Sequence, residues 1–336
     1  MPGSIELSSR GRRRIIVALG SGALGLPLTS VAQTAGKVWR IAFLGSETAA
    51  AYAKQIEAML AGLREYGYIE GKSLSIEYRW ADGKPERLPE LAADLVRQKV
   101  DVLVTHGGPA TRAAKAATTQ IPIIIATLGN DPAETGLVSS LARPGGNITG
   151  RVSMSMLLHV KQMELIREIL PRARRIALLY SGNRGDGETT PKAMADAAQK
   201  LNLEIQVVRA NRVEDIEAAF AEMLTKGIGA LIVANQAQFI TQSTRVAGLA
   251  VKHRIPMIGN QEFAESGALL GYGASILDNF RRVGYFVDRI AKGANPATMP
   301  IEQPTTFELV VNLKTAKALG ITLPPSVMVR AERVIQ

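Results

Sequence analysis

The sequence predicts an α/β protein made of two similar lobes, each built on a parallel sheet. Three observations carry that prediction. Short β-rich runs alternate with helical patterns along most of the 336 residues, which implies right-handed βαβ units and sheets covered on both faces. The order of runs then repeats. RIAFLGS at 40–46 resembles RIALLYS at 175–181, LSIEY at 74–78 resembles LEIQV at 203–207, LVT at 103–105 aligns with LIV at 231–233, and IPII at 121–124 resembles IPMI at 255–258. Strands look alike, so each match alone says little; a near-constant offset of about 130 residues is what marks a duplication. Finally, the tail holds more elements than either lobe needs, so the chain is expected to cross between lobes more than once.

The elements follow in order. Residues 40–44 form a strand ending at Gly45-Ser46, and Ile56, Met59, Leu60 and Leu63 then stripe one helix face. Residues 74–78 alternate as a strand, and Leu88, Leu91, Ala92, Leu95 and Val96 mark a second helix. Residues 101–105 read as a buried strand, followed by His106-Gly107-Gly108-Pro109 and an Ala-rich helix; 121–127 is another apolar strand. The turn-rich stretch 144–150 closes the first set and is the expected hinge. The second set ends in the Gly-rich stretch 267–273. Helix 276–292 follows, with Phe280, Val283, Val287 and Ile290 on one face, then a Pro-marked linker, a last strand at 307–312 and a last helix at 314–319 capped by Gly320.

The N-terminus reads as an export signal. Arg10, Arg12, Arg13 and Arg14 precede an uncharged apolar run from Ile15 to Leu28, and Ser30-Val31-Ala32 supplies a small-x-small cleavage site. The paired arginines also fit a twin-arginine signal. Residues 1–32 are therefore expected to be removed, leaving a soluble periplasmic protein. Gly20-Ser21-Gly22-Ala23-Leu24-Gly25 matches a dinucleotide fingerprint, but it follows arginines rather than a strand and lies in the discarded segment.

Composition removes several function classes. There is no Cys, so disulfides, thiolate metal sites and a Cys nucleophile are excluded, and three His offer little for a metal site. The net charge of +10 belongs partly to the leader and is otherwise scattered, with no aromatic residues interleaved as single-strand binding requires. No metalloprotease, P-loop or nucleophile-elbow motif occurs after the leader. His106 has no nucleophile placed beside it in the sequence. No catalytic residues, metal or cofactor are expected, and no nucleic-acid partner.

Ligands of open parallel sheets bind beyond the carboxyl ends of the strands. In the first lobe these positions are Gly45-Ser46-Glu47, His106-Gly107-Gly108 and Thr127 to Asp131; in the second they are Ser181 to Asn183, Asn235-Gln236 and Gly259 to Phe263. They are polar and mostly uncharged, suited to hydrogen bonding a small polar ligand. The candidate set is Gly45, Ser46, His106, Gly107, Gly108, Thr127, Leu128, Asp131, Ser181, Asn183, Asn235, Gln236, Gln261, Glu262, Phe263 and Tyr272. Helix starts beyond Gly108 and Ser46 offer N–H groups to a carboxylate. Glu262 or Asp131 is the candidate partner for an ammonium. The competing account makes each of these residues a turn or helix cap.

Two long segments are familiar. DPAETGLVSSLARPGGNITG at 131–150 and QPTTFELVVNLKTAKALG at 303–320 resemble the substrate-binding proteins of ABC transporters, in the family that includes the tryptophan- and tyrosine-type binders. The resemblance spans residues 37–336. It implies a periplasmic binding protein of type I: two Rossmann-like lobes joined by a three-segment hinge, with the ligand between them. Lobe 1 would comprise 37–150 and about 276–298, lobe 2 would comprise 151–275 and about 299–336. It implies hinge closure, a permease and ATPase complex in the inner membrane as partners, a monomeric state, and no catalysis. The ligand expected is an amino acid, aromatic ones included, or a related small acid. In related amino-acid binders the ligand carboxylate sits on the first-lobe turn, here His106-Gly107-Gly108 with Thr127 or Leu128. Phe263, Tyr272 and Tyr180 are candidate walls, although 5% aromatic residues do not make a strongly aromatic cleft. An alternative role is that of a stand-alone periplasmic ligand-binding partner of a sensor.

Overall fold

In the computed structural model, which describes residues 37–153, 155–182 and 189–336, the apolar runs of the first half become five strands. These are β1 (Trp39–Gly45), β2 (Leu74–Trp80), β3 (Val102–His106), β4 (Ile123–Thr127) and β5 (Ile148–Gly150). They pair in the order β2-β1-β3-β4-β5, and every pairing is parallel. The inner strands β3 and β4 are buried throughout, as runs rich in β-branched residues and covered on both faces must be. Helices α1 (Ala53–Glu65), α2 (Leu88–Arg97) and α3 (Gly107–Ala117) make the crossovers.

The second half repeats the plan and extends it. Strands β6 (Arg175–Tyr180), β7 (Glu204–Arg209), β8 (Ala230–Val233), β9 (Met257–Gly259), β10 (Leu270–Gly273), β11 (Glu308–Asn312) and β12 (Arg333–Ile335) form one sheet. Its order is β12-β11-β10-β9-β8-β6-β7, and only the β10–β11 pair is antiparallel. Helices α4 (Ser155–Ile169), α5 (Thr189–Lys200), α6 (Ile216–Thr225), α7 (Ala237–Thr241), α8 (Ser243–Lys252) and α9 (Gln261–Glu265) precede the return to the first sheet.

That return is made by α10 (Ile276–Ala291), which packs along α1 and against β4. Its apolar stripe Phe280, Val283, Val287 and Ile290 is buried, and Ser275 caps its N-terminus by accepting from the Asp278 N–H at 3.2 Å. The α1–α10 contact is made on glycines. A Cβ at Gly62 would lie 1.8 Å from the Arg281 carbonyl oxygen, and one at Gly284 would lie 2.2 Å from the Gly62 carbonyl oxygen. Helices α11 (Leu313–Leu319) and α12 (Pro325–Val329) end the chain with β12.

The chain thus passes between sheets three times: after β5, before α10, and before β11. The first and third passages lie side by side. Thr149 Oγ1 donates to the Met299 carbonyl at 3.1 Å, Glu302 N–H to Gly150 at 2.8 Å, and Val152 N–H to Glu302 at 3.0 Å. Arg282 on α10 clamps the Glu302 carboxylate with two bonds, at 3.0 and 2.7 Å. One apolar cluster holds side chains of both sheets, including Ile41, Phe43, Leu179 and Val233, with Phe239 of α7.

Four expectations need amending. The stretch 144–150 gives its last three residues to β5, so the passage begins beyond Gly150. The Gly-rich stretch 267–273 contains β10, because a strand paired on both edges needs backbone groups more than side chains. The tail continues past its expected last helix into α12 and β12. And α1 starts at Ala53, so its N–H groups do not open at Ser46. The leader and its cleavage site lie outside the described residues. Among the described residues no helix is long and apolar enough to cross a membrane.

Candidate functional site

The carboxyl ends of the two sheets meet. Asn235, after β8, donates through Nδ2 to Ser153 Oγ at 2.8 Å, and Ser153 in turn donates from its backbone N–H to the Leu128 carbonyl, after β4, at 2.8 Å. Asn260, after β9, donates to Asn235 Oδ1 at 3.2 Å. Gly107, at the start of α3, comes so close to the second lobe that a Cβ there would lie 3.7 Å from Ala237 Cβ.

This junction concentrates unmet polar atoms. Ser46 Oγ, Tyr52 OH, His106 Nδ1, Asn260 Oδ1, Glu262 Oε2 and Asn279 Oδ1 are buried without a hydrogen-bond partner. Each such atom costs about 1–3 kcal/mol in an apolar surrounding. Gln55 Oε1, Arg151 Nε and His159 Nε2 are buried without a hydrogen-bond partner as well, so the six at or near the strand ends make the junction a candidate place for a polar guest. Burial pushes the His106 imidazole down to about 3, so it is neutral, held edge-on to Tyr52 and Phe280 with ring centroids 5.6 and 5.2 Å away. Trp80, at the end of β2, stacks on Tyr52 at 5.4 Å over Gly45, where a Cβ would meet the indole at 2.6 Å.

The expected residues divide. Gly45, Ser46, His106, Gly107, Leu128 and Asn235 stand at the junction, joined by Asn260, which is outside the candidate set. Gly108, in the first turn of α3, lies against its own helix's Arg112. Thr127 Oγ1 accepts from Asn279 Nδ2 at 3.1 Å, which ties β4 to α10. Gln236 closes on Ser181 by accepting its N–H and donating to its carbonyl, both at 2.7 Å. Gln261 donates to the Gly273 carbonyl at 2.9 Å. Asp131 accepts the Ala133 N–H at 2.7 Å and so caps its own turn. Glu262 Oε1 accepts the Ile276 N–H at 2.7 Å, at the mouth of α10, and burial pushes its carboxyl up to about 7. Asp131 and the Oε1 of Glu262 thus take capping roles, while Glu262 Oε2 stays without a partner. Phe263 is fully buried under Gly259 in the apolar core rather than on a wall, and Tyr272 stacks on Phe307 at 6.3 Å. Asn183 lies outside the described residues. His159, bonded through Nδ1 to Gln162 at 3.0 Å, and His253, stacked on Phe220, are structural.

At the rim beside these ends lies a cavity of about 310 Å³. Its first-lobe wall is Glu47, Thr48 and the β2-end turn Asp82-Gly83-Lys84 with Glu86; its second-lobe wall is Arg212-Val213-Glu214 and Gln242. Both β2 and β7 are edge strands on the same side of their sheets, next to β1 and β6. The ends of these edge strands lie outside the candidate set, although Asp82-Gly83 is a turn signal in the sequence. The loop 81–83 is fixed on β1 by Ala81 N–H to Gly45 and Gly83 N–H to Ser46, both at 2.9 Å. That packing buries Glu47, and desolvation, with repulsion from Glu214, pushes its carboxyl up to about 7. A second cavity of the same volume sits within the first lobe, lined by Lys115 and by residues 136–139 and 144–148.

Comparisons with known proteins agree with this architecture. The family model described as ABC transporter substrate binding protein matches residues 46–335. The chain is 27% identical over 273 residues to a tyrosine-binding protein of Clostridioides difficile (strain R20291), covering 80% of this chain and 77% of that protein. Among solved structures, a conserved domain protein from Vibrio cholerae is similar with a TM-score of 0.81 and 26% identity, covering 89% of this chain and all of that one. An ABC domain from Streptococcus pneumonia, solved in complex with L-Trp, gives a TM-score of 0.78 at 26% identity, covering 88% of this chain and all of that one.

Proposed function

We propose, from the premise that this chain belongs to the ABC transporter substrate-binding protein family, that it captures an amino acid or related small polar acid between its lobes and delivers it to a membrane permease. The family binds and does not transform its substrates, and the protein is not an enzyme. The observation that carries the ligand class is the cluster of buried, unpartnered polar atoms at the meeting strand ends. The rim cavity supports it: acidic and basic side chains both line it, as a zwitterion requires, and about 310 Å³ suits a small ligand. The relatives named for tyrosine and solved with L-Trp make an aromatic amino acid the first compound to try.

Delivery would work by hinge closure. Lobe 1 is taken as 37–150 with about 276–298, and lobe 2 as 151–275 with about 299–336. Contacts from both lobes exist only when closed, so a ligand shifts the population to that state. The closed monomer would dock on the permease of a permease–ATPase complex after export through the N-terminal leader. The test is thermal shift of the purified protein against amino acids and small acids. A ligand at about 1,000 times its Kd stabilises by about 4 kcal/mol, so one chemical class should raise Tm clearly. No shift from any amino acid, in protein shown by mass spectrometry to carry no bound molecule, would overturn the amino-acid assignment.

A further inference from the structure

We infer that the rim cavity is a cation subsite, in which Glu47 of the first lobe and Glu214 of the second receive a positively charged nitrogen of the ligand. This rests on the reading of the chain as a ligand binder and adds a requirement: the ligand is an amine.

Glu47 is only 6% exposed. Its carboxylate accepts no hydrogen bond and forms no ion pair among the described residues. It lies on the cavity wall, since a Cβ at Gly83 would sit 3.6 Å from its Oε2. A buried carboxylate without a partner works against folding, so packing alone gives no reason for it. Glu214 approaches it from the opposite lobe with the same charge. Two like charges facing across a cavity accept a cation between them or oppose its closure. The charged and titratable groups around Glu47 are Tyr52, Asp82, Lys84, Glu86, Arg212 and Glu214. Lys84 and Arg212 line the cavity but neither pairs with Glu47, which leaves them for an anionic group of the same ligand. Asp82 is already held by Arg87 at 2.6 Å.

The experiment is calorimetry on the full chain with matched probes. These are L-tyrosine and L-tryptophan, their deaminated acids 3-(4-hydroxyphenyl)propionate and indole-3-propionate, and their decarboxylated amines tyramine and tryptamine. Compounds with the ammonium group are expected to bind, and each deaminated acid at least about tenfold more weakly than its parent. Glu47→Gln should weaken binding of the amine by at least about tenfold, and Glu214→Gln by less because it is exposed. Wild-type affinity should rise from pH 6 to pH 8 as Glu47 ionises, and the Glu47→Gln variant should lose that rise. The Tm of unliganded Glu47→Gln at pH 8, equal to or above that of wild type, separates lost binding from lost folding. Binding of the amines but not of the amino acids would keep the subsite and overturn the amino-acid assignment. Deaminated acids binding as tightly as their parents, unchanged affinity in a folded Glu47→Gln, or no amine binding at all would overturn the subsite.

Discussion

Two buried carboxylates in this protein meet their burial in different ways, and stability against pH separates them. Glu262 sits where α10 begins and takes the Ile276 N–H, so its charge faces a helix N-terminus. Glu47 has no such donor. In each, burial lifts the carboxyl from 4.5 to about 7. The sign follows from linkage: the folded protein holds the proton more tightly than the unfolded chain, so the favourable contribution is complete below about pH 4.5 and is lost as pH rises to about 7. Glu47→Gln should therefore melt above wild type at pH 8, with the gap closing towards pH 4.5. Glu262→Gln keeps an acceptor for Ile276, whereas Glu262→Ala leaves that N–H open and should cost about 1–2 kcal/mol more than the Gln variant. Denaturant melts of the three variants at pH 5 and pH 8 check this; a Glu47→Gln variant less stable than wild type at pH 8 would mean Glu47 has a stabilising partner. The chemistry of the strand-end residues was legible from their types. Which of them would cap a helix was not, because Asp131 and Glu262 are distinguished from Glu47 only by the backbone N–H groups that folding brings to them.

The α1–α10 pair is where one element decides how two passages of the chain are held, and its contact depends on missing side chains. Ala at Gly62 or Gly284 gains roughly 1 kcal/mol of helix propensity. A methyl 1.8 Å from a carbonyl oxygen cannot be accommodated without parting the helices, which costs about 1–3 kcal/mol or more. Overpacking wins, and Gly62→Ala and Gly284→Ala should each lower stability by about 1–2 kcal/mol. Chemical denaturation checks this, and a gain in stability would show that the helices have room to separate. Both helices were legible as elements because their apolar stripes run for several turns at a 3.6-residue period. Their mutual contact was not, since a glycine in a helical pattern looks like a weakness until the partner helix is present. Elements β5, β10 and β12 escaped for a related reason. Each is only three or four residues long, β5 and β10 end on glycine, and each is made by pairing to a neighbour distant in sequence.

At the scale of the whole molecule, the repeated order of runs was enough to expect two parallel sheets, because each βαβ unit carries its own periodicity. The antiparallel seat of β11 was not legible: a strand after a linker has the same composition whichever way it enters a sheet. The excess of tail elements did foreshadow the repeated passages, and these now bear on motion. The first and third passages are bonded to each other through Thr149, Gly150, Val152 and Glu302, and Glu302 is gripped by Arg282. A bonded strap bends as one piece, so rotation of the lobes would change the distance across the Glu47–Glu214 cavity while leaving the strap intact. If the lobes close as proposed, charge across that cavity would bias the unliganded balance. Above pH 7 Glu47 is ionised and repels Glu214 across the cavity; below it Glu47 takes up its proton and the repulsion falls. Small-angle scattering of the unliganded protein should thus give a larger radius of gyration at pH 8 than at pH 5.5. A saturating amine ligand at pH 8 should bring it down, because the ligand's positive charge replaces the proton. The Glu47→Gln, Glu214→Gln double variant should be compact at both pH values and respond less to ligand. A radius that ignores both pH and saturating ligand would show that the lobes do not move against each other, and capture would then need a route other than closure.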